Sequence, residues 1–433
     1  MKLPVVWNAS LKNGLRVYGI QNDELPLVQF NIVLKGGHYL DALDKAGTAY
    51  LVTEMMMEGT RNKTPQELEE EIEKLGAYIS ISVSSNDITI SVNTLVRTYE
   101  KALALVEEIL MEPRWDVEEF EMAKSRLQNR LLRAKADPNA LARDAFMKLV
   151  YGPQHIFSID RQGTENTVAG ITIDDLKTFY GNNFSPSAAS FHIAGDITKE
   201  KALASLNILG QKWIDKEVVF PEYAIPAPPE SSKIYFVDIP GAKQSVINIG
   251  GPGLSRNDAD FYAATVMNQK LGGSFNSNVN LVLREEKGFT YGARTYFSGT
   301  FIPGTFTASS SVRSSATFES VEIFKRLMEE YRLGISEEDL VFTKNSLNKS
   351  KAREFETLNS KLKMLQDISM YDLPVDYVRE QERIVSEMTL ERHKALAEKY
   401  INPDRMYYVI AGDAATQMEA LGKIGFGEAE LVR

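Results

Sequence analysis

The sequence predicts an α+β fold built twice: two homologous domains of about 210 residues, each a mainly antiparallel sheet covered by helices. Three observations carry this. SPSAASFHIAGDIT at 185–198 returns as NPDRMYYVIAGDAA at 402–415, with Pro186 against Pro403 and Gly195-Asp196 against Gly412-Asp413, all at an offset of 217 residues. Strand-like alternation and capped helical patterns succeed each other in both copies. Between the copies PEYAIPAPPESSK holds four prolines and neither period, which reads as a semi-stiff linker. The boundaries expected are 1–218 for the amino-terminal domain, 219–233 for the linker and 234–433 for the carboxy-terminal domain.

Taken in order, 15–20 and 28–34 read as strands that lead into a helix over 47–58. On that helix Tyr50, Thr53, Glu54 and Met57 share one face at spacings of three and four, and Gly59 supplies the stop. Thr64-Pro65-Gln66-Glu67 then gives a capping residue, proline at the first helical position and glutamate at the third, and Gly76 ends the helix it begins. From 78 to 95 Ile79, Ile81, Val83, Ile88, Ile90 and Val92 alternate about a polar Ser84-Ser85-Asn86-Asp87 turn, a hairpin with one buried and one wet face. Helical periods follow over 98–110, stopped by Pro113, then over 116–135 and 140–150. Thr172 caps another helix, and 189–194 is a strand. In the second copy 244–249 reads as strand, 257–271 as helix, 272–274 as a glycine turn and 278–287 as a helix ended by Gly288. Strands follow over 289–297 and 304–311, and Ser336 caps a helix whose acidic first turn suits the helix dipole.

Composition removes several functions. With 49 basic against 59 acidic residues the chain carries −10, so nucleic acid is not its expected ligand. It has no cysteine, which excludes disulfides, zinc fingers and thiol nucleophiles. No apolar run is long enough to span a membrane, and no signal-peptide core stands near the start. His38, His155, His192 and His393 are the only histidines, and no two lie within one helical turn, so a local His-x-x-x-His zinc site cannot form. GGPG at 250–253 lacks the third glycine and capped helix of a dinucleotide site.

The stretch GTAYLVTEMMMEGT at 47–60 resembles the G-x-A-H-x-x-E-H-M-x-x-x-G-T segment of the pitrilysin and mitochondrial processing peptidase-like zinc metallopeptidases, the inverzincins. That family holds zinc with two imidazoles one turn apart and takes a proton from the bound water with the glutamate beside them. Here Tyr50 and Glu54 stand at the two histidine positions and Thr53 at the base. Matching the turn Pro113-Arg114-Trp115-Asp116 carries the third ligand, a glutamate in the family, to Arg130 or a neighbour within a residue or two. The resemblance therefore implies a family member that binds no zinc itself. Two readings of the replaced residues stay open: Glu54 and Arg130 pair where the metal would sit, or both face solvent.

A second segment, LREEKGFTYG at 283–292, resembles the family's L-R-E-x-x-G-L-x-Y, whose arginine and tyrosine form its R/Y pair. By that resemblance Arg284 and Tyr291 converge on the scissile carbonyl and stabilise its developing oxyanion. The whole then implies one half of a heteromeric zinc endopeptidase, inactive alone. Zinc is expected in a partner subunit or half bearing H-x-x-E-H, and the substrate is an extended, unfolded peptide. The compartment stays open, with the bacterial periplasm, and a leader absent from this chain, favoured over the cytoplasm. The alternative is a catalytically inert scaffold or assembly subunit of the same fold. A self-sufficient hydrolase with another nucleophile finds no Gly-x-Ser-x-Gly elbow to support it.

Overall fold

The computed structural model describes residues 3–351 and 355–432, and each copy of the repeat forms a mixed six-stranded sheet. The first sheet contains β1 (Val6–Ser10), β2 (Arg16–Gln21), β3 (Leu27–Lys35), β4 (Tyr78–Val83), β5 (Asp87–Leu95) and β6 (Ala189–Gly195), in the order β1-β2-β6-β3-β5-β4. The second contains β7 (Lys233–Asp238), β8 (Gln244–Pro252), β9 (Thr290–Phe297), β10 (Thr305–Arg313), β11 (Tyr407–Gly412) and β12 (Glu430–Leu431), in the order β12-β7-β11-β8-β10-β9. β2 pairs with β6, and β7 with β11 and β12, in parallel; the other pairs are antiparallel. The duplication shows in the register itself, because β2 and β3 shifted by 217 residues fall on β7 and β8.

Two compact units result, and neither is continuous in sequence: Met1–Leu132, Ile159–Glu222 and Lys351–Val375 make one, and Arg133–Ser158, Tyr223–Ser350 and Asp376–Arg433 the other. Alternation on the strands explains the exchange. In the first unit Val17, Phe30, Ile32, Phe191 and Ile193 face a core with Leu51, Met55, Tyr99 and Val106. Phe30 stacks on Phe191 at 5.3 Å and meets Tyr99 edge-on at 5.7 Å. The intervening residues Ile20 and Ala194 face the other way and are covered by Leu362 and Leu365 of the helix Leu358–Tyr371, which comes from the second copy. In the second unit Ile247, Ile249, Tyr408 and Ile410 face the main core, while Val237, Val246, Val409 and Ala411 pack on Ala142, Ala145, Phe146 and Val150 of the helix Pro138–Tyr151. Each sheet is thus covered on its second face too, by one helix from the opposite copy.

Several elements depart from the sequence reading. β1 and β7 were not anticipated, and β7 starts at Lys233, where the linker was read to end. The helix expected over 257–271 is Phe261–Asn268 followed by a π-turn, Gln269–Gly273, and that expected over 278–287 is Asn278–Asn280 followed by a π-helix, Leu281–Glu286. Close approach to β9 accounts for the glycine there: a Cβ on Gly272 would lie 2.2 Å from the Thr295 amide nitrogen.

Candidate functional site

In the first unit the helix Thr48–Met57 carries Tyr50, Thr53 and Glu54. Its start lacks a side-chain cap of its own, and the Asp41 carboxylate takes that place, accepting from the Gly47 and Ala49 amides at 2.9 and 2.8 Å. His38 Nδ1 lies 2.9 Å from the same carboxylate and Nε2 lies 3.0 Å from the Ile159 carbonyl, so the helix start is held within a buried polar network. Thr53 is buried, and its hydroxyl donates to the Tyr50 carbonyl at 2.8 Å, a back-bond within the helix.

Arg130, on the helix Val117–Ala134, donates from Nη1 to the Tyr50 hydroxyl and stacks over that ring at 5.6 Å. Burial and then the Glu54 carboxylate push the Tyr50 phenol above the ordinary range, while Arg130 pulls the other way. Arg130 thus meets Tyr50 directly, and Glu54 acts on the same phenol through its charge. One turn earlier, Arg126 Nη2 meets Glu58 Oε1 at 2.6 Å, so arginines of one helix bind the other helix twice.

In the second unit Arg284 lies on the π-helix Leu281–Glu286 and Tyr291 on the edge strand β9. Both line one open cleft of ≈ 540 Å³, together with Phe275, Arg294 and Tyr296. Arg284 lies over the Phe275 ring at 4.6 Å and Arg294 over Tyr296 at 5.4 Å. The register explains why Tyr291 is 93 % exposed: Thr290 pairs with Val312 and Ala293 with Ser310, leaving Tyr291 and Gly292 opposite Ser311 alone. This β-bulge turns the side chain outward. Buried asparagines hold the rest of the strand. Asn280 Oδ1 accepts from the Ala293 amide at 3.1 Å while its Nδ2 donates to the Phe275 carbonyl at 2.7 Å, and Asn268 Nδ2 donates to the Thr295 carbonyl at 2.8 Å.

Comparison with known proteins agrees with both halves. Residues 16–158 match the model described as Insulinase (Peptidase family M16), and residues 170–347 match Peptidase M16 inactive domain. The chain belongs to the M16 peptidase family. It is 22 % identical over 377 residues to a protein of Helicobacter pylori named Non-peptidase homolog YmxG, covering 86 % of this chain and 85 % of that one. It is 21 % identical over 352 residues to the Uncharacterized zinc protease YmxG of Bacillus subtilis, covering 81 % of this chain and 85 % of that one. The fold matches the crystal structure of a peptidase M16 inactive domain from Pseudomonas fluorescens with a TM-score of 0.88 at 24 % identity, over 95 % of this chain and 99 % of that one.

The zinc of the M16 motif does not fit the residues at Tyr50, Thr53, Glu54 and Arg130. A zinc site takes three or four imidazole, carboxylate or thiolate donors, and here one carboxylate stands with a phenol, a back-bonded hydroxyl and a guanidinium whose own charge repels a cation. Among the described residues no group of three or more histidines and acids could hold a metal ion elsewhere. One arrangement looks like a nucleophile relay: His192 Nε2 lies 2.7 Å from Ser369 Oγ and Nδ1 lies 2.6 Å from Asn31 Oδ1. All three are buried, so no substrate reaches the hydroxyl; the trio docks the exchanged helix on the sheet. A larger open depression of ≈ 920 Å³ surrounds the turn at Pro113, Arg114, Trp115 and Asp116, which pairs with Gly59 and Thr60 at the end of the first motif, and none of Tyr50, Thr53, Glu54 and Arg130 lines it.

The motifs pointed to Arg284 and Tyr291 in the sequence. Phe275, Arg294, Asn280 and Asn268 were missed. The Gly272-Gly273 pair was the one local sign that backbone closes on a strand there.

Proposed function

We propose that this chain is the half of a heteromeric M16 zinc endopeptidase that binds no zinc, acting on extended peptides whose attacking water is activated on an H-x-x-E-H partner. Arg284 and Tyr291 donate to the scissile carbonyl and to the oxyanion that follows. The observation that carries this reading is that both donors line one cleft, with the bulge turning Tyr291 out of the strand, in a family member whose metal positions hold a Tyr50–Arg130 contact. A free hydroxyl and a guanidinium edge offered from neighbouring elements suit a carbonyl oxygen. The purified chain alone is expected to cleave no peptide, and mixing with a zinc-bearing partner is expected to restore cleavage. In that complex Arg284→Ala lowers kcat by on the order of a hundredfold or more. An unchanged kcat defeats the assignment.

An inert scaffold of the same fold is the second reading, favoured by the name of the Helicobacter pylori relative. It is distinguished by the same complex: a scaffold restores activity, or assembly, equally well with Arg284 and Tyr291 replaced.

A further inference from the structure

We propose that the cleft beside β9 is a carboxylate-binding site, so that the peptides this chain prefers carry an acidic side chain or a free carboxy terminus. This deepens the reading above and rests on it for the peptide class. The cleft lining includes Arg284 and Arg294 and no aspartate, glutamate or lysine. That is a local reversal of sign in a chain whose net charge is −10.

Each guanidinium lies against a ring, Phe275 at 4.6 Å and Tyr296 at 5.4 Å. Stacking of this kind orients the plane and leaves its N–H edge for a carboxylate, which guanidinium binds in a two-pronged fork. Neither arginine is strongly neutralised. Arg284 Nε meets Glu285 at 3.3 Å in an exposed, single-pronged contact, and among the described residues Arg294 meets no carboxylate. Phe275 is 60 % and Tyr291 93 % exposed, so the rings beside the cations are open to the apolar part of an incoming residue. Asn280 and Asn268 occupy the amide and carbonyl of β9 at Ala293 and Thr295, so the ligand is taken by side chains rather than by pairing along that part of the strand.

The test is equilibrium binding of fluorescent extended peptides to the full chain without any partner, so its result does not depend on turnover. Three versions of one uncharged peptide are compared: amidated, amidated with one aspartate, and with a free carboxy terminus. At least one acid-bearing version is expected to bind about tenfold tighter than the neutral one, an advantage lost in Arg294→Gln and kept in Arg326→Gln, an exposed arginine paired with Glu330 that does not line the cleft. Preference for the aspartate peptide alone assigns the side chain as the source, and preference for the free terminus alone assigns the terminus. Equal affinity for all three, or a preference undiminished by Arg294→Gln in protein with an unchanged circular dichroism spectrum, overturns the proposal. Failure of the endopeptidase reading shows separately, as a complex whose kcat ignores Arg284.

Discussion

Tyr50 is the residue through which two helices of the amino-terminal unit meet. A zinc ion would tie the helix Thr48–Met57 to the helix Val117–Ala134, and here Arg130 on Tyr50 and Arg126 on Glu58 do so instead. Both arginines are exposed, so the contacts are worth little: Arg130→Ala is expected to lower unfolding stability by about 1 kcal/mol in urea titration. For the same reason zinc or a chelator should leave the melting temperature of the wild type unmoved, because a metal stabilises only a fold that binds it. A zinc-dependent rise would show that the folded chain binds the metal after all. The substituted positions were legible from the motif alone. Their partnering was not, since sequence gives the charges of Glu54 and Arg130 but not that Arg130 donates to the Tyr50 phenol.

At the scale of elements, the hairpins and caps were legible because their signals are local. Thr64 forms the capping box its spacing predicts, Thr172 caps its helix as expected, and β4 and β5 pair as the Ile79-to-Val92 alternation requires. The bulge at Tyr291 and the π-turns were hidden, because both arise where the chain between 268 and 286 must fit against β9. Asn280 is the joint of that fit, binding the Ala293 amide on one side and the Phe275 carbonyl on the other. Asn280→Ala leaves two backbone groups without their partner, so it should cost roughly 1–3 kcal/mol. If Asn280 positions Tyr291 and Phe275 for substrate, the variant also loses kcat in the reconstituted complex at temperatures where it remains folded. A loss of stability with kcat intact would make the residue purely structural.

For the whole chain, the doubling was legible in one repeated segment, but the exchange of helices was not. The helices Pro138–Tyr151 and Leu358–Tyr371 have apolar faces that sequence cannot address to one sheet or the other. Two buried titratable groups act in opposite directions on stability, one under an exchanged helix and one within the first core. His192, under the exchanged helix, is held down to about 3 by burial, then by Arg16 and Lys363. Its folded value lies below its unfolded one, so its share of stability is complete above about pH 6.5 and is lost as pH falls toward 3. Glu107, 4 % exposed, is pushed up to about 7, chiefly by burial, against an accepted bond from the Leu209 amide and the pull of Lys212; its Oε1 makes no hydrogen bond. Here the folded value is the higher, so the stabilising protonated form is complete below about pH 4.5 and lost as pH rises through 7. Glu107→Gln keeps the shape of the protonated acid and removes the titration. Urea midpoints of variant and wild type should therefore nearly coincide at pH 4, separate between 4.5 and 7, and differ by roughly 2–3 kcal/mol in the variant's favour at pH 8. A difference that stays constant across that range would mean that Glu107 is ionised in the fold throughout, with its buried oxygen satisfied.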